Sequence, residues 1–175
     1  MTTPSFAVLT ISDRSSRGER EDLSGPALVE FILARGWQVK YTAVIPDEKE
    51  WIKRELLMHS DDPSIHVILT TGGTGLTHRD VTPEATLEVG EAVIPGITEF
   101  IRMKSSEKTM HALLSRAVCV QRNRCIILNV PGSPRGAVES LSLVADILPH
   151  AIAQLRDLEN SQDHTVHHQR QGDHK

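Results

Sequence analysis

A nineteen-residue stretch, ILTTGGTGLTHRDVTPEAT at positions 68–86, constrains the fold more than any other part of the chain. His66 to Thr71 is short, apolar and rich in β-branched residues, which is typical of a strand buried on both faces of a parallel sheet. Three glycines follow within four residues. Pro83 and Glu84 then have the form of a first helical turn, with Thr82 as its N-cap. The stretch predicts a buried strand, a glycine loop and a helix that begins near Pro83.

The glycine loop suits close approach by an anion. Glycines allow positive φ and leave backbone N–H groups bare, as phosphate binding requires. Arg79 and Asp80 follow at the carboxyl end of the strand, where open α/β sheets bind ligands. The loop matches neither GxxxxGK[ST] nor GxGxxG, and a plain strand-to-loop turn is an alternative interpretation. The candidate ligand-binding residues here are Gly72, Gly73, Thr74, Gly75 and Arg79.

Charge and composition favour small-molecule chemistry over nucleic-acid binding. The 175 residues carry a formal net charge of −4 and include 3% aromatic residues. The net charge does not favour binding to nucleic-acid phosphates, and few aromatic side chains are available to stack on bases. Cys119 and Cys125 have no CxxC spacing, and we predict buried thiols rather than a zinc or redox site. We recognise no signal peptide and no membrane-spanning run, and we expect a cytoplasmic protein without membrane or nucleic-acid partners.

Three more apolar segments end in polar loops. They lead into Ser12, Asp13 and Arg14, into a PDE sequence that contains Asp47, and into Pro131, Gly132 and Ser133. For Asp13, a carboxylate bonded to local backbone is an equal alternative. For Asp47, the local pattern favours a structural role, because Asp47 and Glu50 have the form of a capping box. If the strands are parallel, these loops share one edge of the sheet and can form one pocket.

Strand and helix patterns alternate along most of the chain, with a break at Ala92 to Gly96 and a polar loop at Ser105 to Thr109. This order predicts an α/β fold in which a mostly parallel sheet is flanked by helices on both faces. We predict one domain over residues 1–158. Residues 159–175 are polar and aperiodic, so we expect a disordered tail, although its four histidines would also suit metal binding.

Several motifs together resemble the molybdopterin adenylyltransferases, the MogA/MoaB family that also includes the G domain of gephyrin. They occur here in the family's order and approximate spacing, between about Phe6 and Leu158. Any one of them is weak evidence, whereas GGTG, RDVTPEAT and NxPGxP in combination are specific. The motifs are ISDR, SGPA, IPDE, TTGGTG, RDVTPEAT, LSR and NVPGSP.

The resemblance implies a MogA-like fold, a homotrimer and a Mg²⁺-dependent reaction of ATP with molybdopterin. Its products would be adenylyl-molybdopterin and pyrophosphate, and a molybdopterin molybdenumtransferase would use the adenylylated pterin. The family's two functional carboxylates correspond to Asp47 and Asp80, and its ligand-site serine to Ser115. The resemblance favours a functional Asp47 over a mere cap, since one residue can cap a helix and still face the pocket.

The chemistry explains these residue types. Transfer at phosphorus depends on positioning and charge neutralisation, and Mg²⁺ usually takes one or two protein carboxylates. We therefore expect Asp47 and Asp80 to hold or orient Mg²⁺, while the Gly72–Gly75 and Gly132–Ser133 loops cradle phosphate and pterin. Arg14, Arg79 and Arg116 are candidate phosphate clamps, or plain surface arginines.

Two other functions stay open at this point. A MoaB-type paralogue would bind molybdopterin with little or no adenylyltransferase activity, and a non-catalytic binding or scaffold module would need neither ATP nor turnover. The sequence does not decide between molybdenum and tungsten as the metal inserted downstream.

Overall fold

A computed structural model of the chain describes residues 3–156, which form a six-stranded sheet covered by helices. The strands are β1 (Ser5–Ile11), β2 (Gln38–Ile45), β3 (Val67–Thr71), β4 (Ala92–Val93), β5 (Cys119–Arg122) and β6 (Cys125–Val130). The helices are α1 (Asp13–Ser16), α2 (Ser24–Ala34), α3 (Lys49–Ser60), α4 (Thr82–Val89), α5 (Pro95–Ser106) and α6 (Pro134–Val144), with 3₁₀ turns at Met110–Leu114 and Ala145–Ile147. Helix continues over residues 148–156.

The sheet is mostly parallel, as predicted. Its strand order is β2-β1-β3-β6-β5-β4. The first four strands in this order are parallel, β5 runs antiparallel to β6, and β4 runs antiparallel to β5. β4 was not predicted, because a two-residue strand is too short to show any periodicity. The four parallel strands therefore end along one edge, which we call the carboxyl rim.

Both faces of the sheet are buried, which explains the continuous apolar runs of the strands. Phe6, Leu69 and Leu128 pack with α2 and α6 on one face, and Leu9, Ile68 and Ile127 pack with α3 and α4 on the other. Every residue of β1, β3 and β6 is buried. The prediction of helices on both faces is confirmed.

Two local predictions were wrong at helix ends. Helix α4 begins at Thr82 itself with Val81 in the cap position, since the Thr82 N–H donates to the Gly73 carbonyl at 3.2 Å and is drawn into the first turn. Helix α5 continues to Ser106 where a polar loop was expected, because its exposed face tolerates polar residues.

The helical stretch from Pro134 to Arg156 is long and apolar enough to cross a membrane by length and composition. Its residues Leu141, Val144, Leu148 and Ile152 belong to the core on the α2 face, which accounts for the apolar content. Cys119 and Cys125 are free and buried as predicted, and burial raises the pKa of each thiol to about 12. The predicted tail, with His164, His167, His168 and His174, lies outside the described residues.

Candidate functional site

Three loops of the carboxyl rim are in direct contact. Gly72 has φ +107°, and a Cβ on it would lie 2.3 Å from the Ile11 carbonyl oxygen. Its N–H donates to the Val130 carbonyl at 3.3 Å, and a Cβ on Gly132 would lie 3.1 Å from the Gly72 Cα. Because no side chain fits between these backbones, the loops after β1, β3 and β6 converge as the sequence predicted.

The loop after β2 joins the rim through a reciprocal pair of hydrogen bonds. The Asp47 carboxylate accepts from the Asp13 N–H at 2.7 Å, and the Asp13 carboxylate accepts from the Asp47 N–H at 3.0 Å. The predicted capping box was wrong, because α3 begins after Glu48 without a side-chain cap. The Asp13 N–H belongs to the first turn of α1. The Asp47 carboxylate therefore accepts a hydrogen bond from a distant part of the chain and does not cap α3, as the local pattern had predicted.

Arg79 extends from the glycine loop to Asp13. Its guanidinium donates to both carboxylate oxygens of Asp13, at 2.8 and 2.9 Å. Burial opposes ionisation of Asp13, but the Arg79 hydrogen bonds and the Asp47 N–H lower its pKa overall. The pair is partly exposed, so its net contribution to stability is at most about 1 kcal/mol. Arg79 therefore ties two loops together, and half of its side chain still faces solvent.

A hydroxyl and a carboxylate face Gly73. Gly73 has φ +66°, and a Cβ there would lie 2.2 Å from Thr82 Oγ1 and 3.2 Å from Asp47 Oδ1. Thr82 is fully buried, and within residues 3–156 its hydroxyl has no hydrogen-bond partner. A buried polar group without a partner costs about 1–3 kcal/mol, so a bound water or ligand that reached this hydroxyl would stabilise the fold. Sequence reasoning missed it by treating Thr82 as a cap.

Asp80 is fixed by its own loop. Its carboxylate accepts from the Thr77 N–H at 2.9 Å and from the Thr77 hydroxyl at 2.6 Å. Burial opposes ionisation, but the bonds from Thr77 and Gly75 and the nearby Arg116 lower the pKa of Asp80. This carboxylate is therefore ionised at neutral pH, as a cation ligand should be.

Asp47 has the opposite electrostatic setting. It is half-buried, and burial raises its pKa, with the charges of Asp13 and Asp80 adding to the rise and the hydrogen bond from the Asp13 N–H and the charge of Arg79 opposing it. Both predicted carboxylates border the glycine loop, since a Cβ on Gly73 would lie 3.2 Å from Asp47 Oδ1 and a Cβ on Gly75 would lie 2.9 Å from Asp80 Oδ2. A cation between them would relieve the repulsion between their charges.

Arg116 and Ser115 lie beside the glycine loop but are turned to structural partners. The Arg116 guanidinium donates to the carbonyls of Gly75 and Asp80 and to the Glu84 carboxylate. The Ser115 hydroxyl accepts from the Ala117 N–H at 3.3 Å. Neither contact leaves the expected ligand-binding group fully free.

Of the remaining predicted residues, Ser12 and Gly132 line a separate pocket on the other side of the rim, whereas Arg14, Pro131 and Ser133 are not part of its wall. This polar pocket of about 140 Å³ lies between β1, α2 and α6, and its wall includes Ser12, Asp22, Thr71 and Gly132. The Pro131 carbonyl accepts from the Thr71 hydroxyl at 2.7 Å. Ser133 caps α6 through the Gly136 N–H, and Arg14 is exposed on α1.

Asp22 is a pocket residue that sequence reasoning missed. It accepts from the Thr10 hydroxyl at 2.8 Å and from the N–H groups of Ser24 and Gly25 at 3.1 and 3.0 Å. Its position two residues before Ser24 is typical of an Asx turn at a helix start. That spacing was the available signal.

Asn129 holds the helix that carries Thr82 against the sheet. Its amide donates to the hydroxyls of Thr70 at 2.8 Å and Thr86 at 2.9 Å and accepts from the Val118 N–H at 3.1 Å. One buried side chain therefore joins β3, α4 and the segment before β5. NVPGSP was recognised as a motif, but its asparagine was not assigned a role.

No group of three or more His, Cys, Asp and Glu side chains within residues 3–156 is arranged to hold a metal ion. A cation at this rim would depend on oxygens supplied by a ligand as well as on Asp47 and Asp80. This is the usual arrangement for Mg²⁺, which is bound through one or two carboxylates together with substrate phosphates.

The chain is similar to several known proteins in sequence and in fold. The molybdopterin adenylyltransferase of Escherichia coli K12 is 42% identical over 83% of this chain and 76% of its own. The molybdenum cofactor synthesis protein cinnamon of Drosophila melanogaster is 39% identical over 90% of this chain, which spans 26% of that longer protein. The solved structure of the molybdopterin biosynthesis enzyme MoaB from Thermus thermophilus is 42% identical, with a TM-score of 0.82 over 87% of this chain and 96% of its own.

The family described as probable molybdopterin binding domain matches residues 7–153, which include most of β1, all of the other five strands and all four rim loops. The match covers far more than half of the sequence. The chain therefore belongs to the probable molybdopterin binding domain family.

Proposed function

We propose that this protein is a molybdopterin adenylyltransferase of molybdenum cofactor biosynthesis. It would transfer the adenylyl group of ATP to molybdopterin and release pyrophosphate. Relatives at 37–42% identity over most of the chain carry that name. The observation that carries the proposal is that the Asp47 and Asp80 carboxylates lie against Gly73 and Gly75 of the glycine loop, since this chemistry needs charge neutralisation next to bare backbone amides.

In the proposed reaction, the terminal phosphate of molybdopterin attacks the α-phosphorus of ATP. The new bond joins a phosphate oxygen to that phosphorus, and the bond to pyrophosphate breaks. The residues of the chain position the two substrates. The loop at Gly72, Gly73, Thr74 and Gly75 would lie against the nucleotide phosphates, and the polar pocket beside Ser12 and Gly132 would take the pterin side.

The rim also fits Mg²⁺. Asp47 and Asp80 would provide two carboxylates from different loops, and the Thr82 hydroxyl, which has no hydrogen-bond partner within residues 3–156, would provide a further oxygen ligand beside Asp47. All are hard oxygen ligands of the kind Mg²⁺ prefers. When bound, Mg²⁺ would neutralise charge on the triphosphate. Asp80 would bind the ion as an ionised carboxylate, and the positive charge of the ion would lower the raised pKa of Asp47.

The proposal extends to the surroundings of the enzyme. It includes a homotrimer, a cytoplasmic location, and transfer of the product to a molybdopterin molybdenumtransferase. These follow from the resemblance of the motifs and from the proposed reaction. Size-exclusion chromatography with light scattering would test the trimer, and a mass other than three chains would contradict it.

The decisive experiment measures pyrophosphate release by the purified protein with ATP, Mg²⁺ and molybdopterin. We expect release that requires all three and that falls with Asp80→Asn. A catalytically competent protein should also form adenylyl-molybdopterin in equal amount. Release that persists without molybdopterin would show ATP hydrolysis instead, and no release would refute the enzyme proposal.

A second candidate function is that of a paralogue which binds molybdopterin with little turnover. The similarity to the Thermus thermophilus protein named MoaB supports it. The same assay separates the two candidates when paired with direct molybdopterin binding. Saturable binding without pyrophosphate release would favour the paralogue, and a pull-down of a large protein partner without turnover would favour a scaffold module.

A further inference from the structure

We infer that Arg116 is a positioning residue that holds the Asp80 loop in its working shape, and that it acts on the nucleotide through Asp80. The inference rests on the proposed function and deepens it. It also changes the expected role of Arg116, from a direct phosphate clamp to a brace behind the site.

The contacts of Arg116 span both ends of the loop. Its Nε donates to the Gly75 carbonyl at 2.7 Å and its Nη2 to the Asp80 carbonyl at 2.5 Å. Its Nη1 pairs with the Glu84 carboxylate on the first turn of α4. One guanidinium therefore joins the start of the loop, its functional carboxylate residue and the helix that follows.

The backbone of Arg116 is anchored as well as its side chain. The Arg116 N–H donates to the Thr74 carbonyl at 3.0 Å, and two residues later the Val118 N–H is held by Asn129. Arg116 thus reaches the loop from a segment already attached to the sheet. A side chain fixed at its base loses less entropy when its tip makes contacts.

The loop needs such a brace because its middle is exposed. Leu76, Thr77, His78 and Arg79 all face solvent, and the Asp80 carboxylate is oriented by Thr77 within this exposed part. Arg79 ties the loop to Asp13 through a largely exposed ion pair, which is a weak restraint. The planar fork of Arg116 bonds three separate acceptors at once, and lysine, with one nitrogen, is a poor substitute.

The experiment is a double-mutant cycle with Asp80. Affinity for a non-hydrolysable ATP analogue in the presence of Mg²⁺ is measured by calorimetry for wild type, Arg116→Ala, Asp80→Asn and the double variant. If Arg116 acts through Asp80, Arg116→Ala weakens binding at least about tenfold in the wild type and less than about twofold in the Asp80→Asn background. Equal losses in both backgrounds would show that Arg116 contacts the nucleotide directly and would overturn the inference.

Two further measurements separate positioning from general destabilisation. Hydrogen exchange of the backbone amides of residues 75–80 should speed up in Arg116→Ala and recover in part with millimolar guanidinium ion. Arg35→Ala, which removes an arginine paired with Asp146 on another part of the surface, should leave exchange in this loop unchanged. Unaltered exchange in Arg116→Ala would refute the brace.

These readouts also distinguish failure of the inference from failure of the proposed function. Exchange is measured on the protein alone, without ATP or molybdopterin. Faster exchange in Arg116→Ala, combined with no nucleotide binding by the wild type, would refute the adenylyltransferase and leave the brace intact. Nucleotide binding by the wild type, combined with exchange in Arg116→Ala as slow as in the wild type, would refute the brace and leave the adenylyltransferase proposal intact.

Discussion

Replacing Gly73 by alanine should damage the site more than the same change at another glycine of equal backbone conformation. Gly73 has φ +66°, and Gly18 has φ +72°. An alanine Cβ would find nothing within 4 Å at Gly18, whereas at Gly73 it would lie 2.2 Å from Thr82 Oγ1 and 3.2 Å from Asp47 Oδ1. The two positions share backbone strain and differ in what the new methyl group meets.

The expected magnitudes follow from this difference. A left-handed alanine costs about 1–2 kcal/mol, and the stiffer unfolded chain returns about 0.4–1 kcal/mol, so Gly18→Ala should cost about 1 kcal/mol. Gly73→Ala carries the same strain and an overpacking cost of about 1–3 kcal/mol. Thr82 is in the first turn of a helix and cannot move away freely. The variant should therefore lose about 2–4 kcal/mol in total.

Urea denaturation followed by circular dichroism would measure both variants, and pyrophosphate release would measure the site. We expect turnover of Gly73→Ala to fall at least about tenfold, because Asp47 is displaced, a loss of about 1.4 kcal/mol in transition-state stabilisation. Gly18→Ala should keep turnover within about twofold. Equal stability and equal turnover in the two variants would refute the claim that Thr82, Gly73 and Asp47 are packed as one unit.

Four further outcomes are expected. Asp80→Asn should leave pterin binding largely intact and cut adenylylation at least about tenfold, or about 1.4 kcal/mol of barrier; unchanged turnover would remove Asp80 from the mechanism. Thr82→Val should weaken Mg²⁺-dependent nucleotide binding while Thr82→Ser retains it, and equal affinities in calorimetry would exclude the hydroxyl as a ligand. Asn129→Ala should lower the free energy of unfolding in urea by about 2–4 kcal/mol, because it breaks two buried hydrogen bonds and one partly buried one and leaves the Val118 N–H without its acceptor. A loss under about 1 kcal/mol would contradict the network. Asp47→Asn should stabilise the ligand-free protein at pH 7, because the pKa of Asp47 is raised in the folded state and its ionised carboxylate destabilises the fold above that pKa. The gain in unfolding free energy should vanish as the pH falls below the unfolded pKa of 3.8. A gain that persisted at that pH would refute the electrostatic cause.

The carboxyl rim was predictable because its signals are local. Strands β1, β3 and β6 are largely apolar and fully buried, and β2 ends in the apolar residues Ala43 to Ile45. Each of these segments leads into a polar, glycine or proline loop, so the strand ends could be located without knowing the fold. Parallel strands then had to present those ends along one edge. The placement of the loops that carry Asp47 and Asp80 along one edge followed from topology, whereas the choice of these two carboxylates as functional residues came from the family resemblance.

The partners of individual side chains were not predictable, since they come from distant parts of the chain. Asp47 fits a capping box locally, but the N–H of Asp13, thirty-four residues away, takes its carboxylate. Arg116 has no local pattern that distinguishes a clamp from a brace, because its acceptors are two carbonyls and Glu84. Asn129 likewise bonds three elements that meet only in the folded sheet.

The charge balance at the rim connects stability with catalysis. Asp13 and Asp80 have lowered pKa values because Arg79 and the Thr77 donors bind them, whereas Asp47 has a raised pKa in the same neighbourhood. The fold thus favours the charged form of two of these three carboxylates, whereas at Asp47 burial and the charges of Asp13 and Asp80 outweigh the hydrogen bond from the Asp13 N–H. A cation that arrives with the nucleotide gains most at that third carboxylate, because neutralising Asp47 removes a cost that the folded protein already bears. Mg²⁺ with the nucleotide should therefore stabilise the wild type against heat by more than it stabilises Asp47→Asn. Equal shifts in melting temperature would show that Asp47 lies outside the cation site.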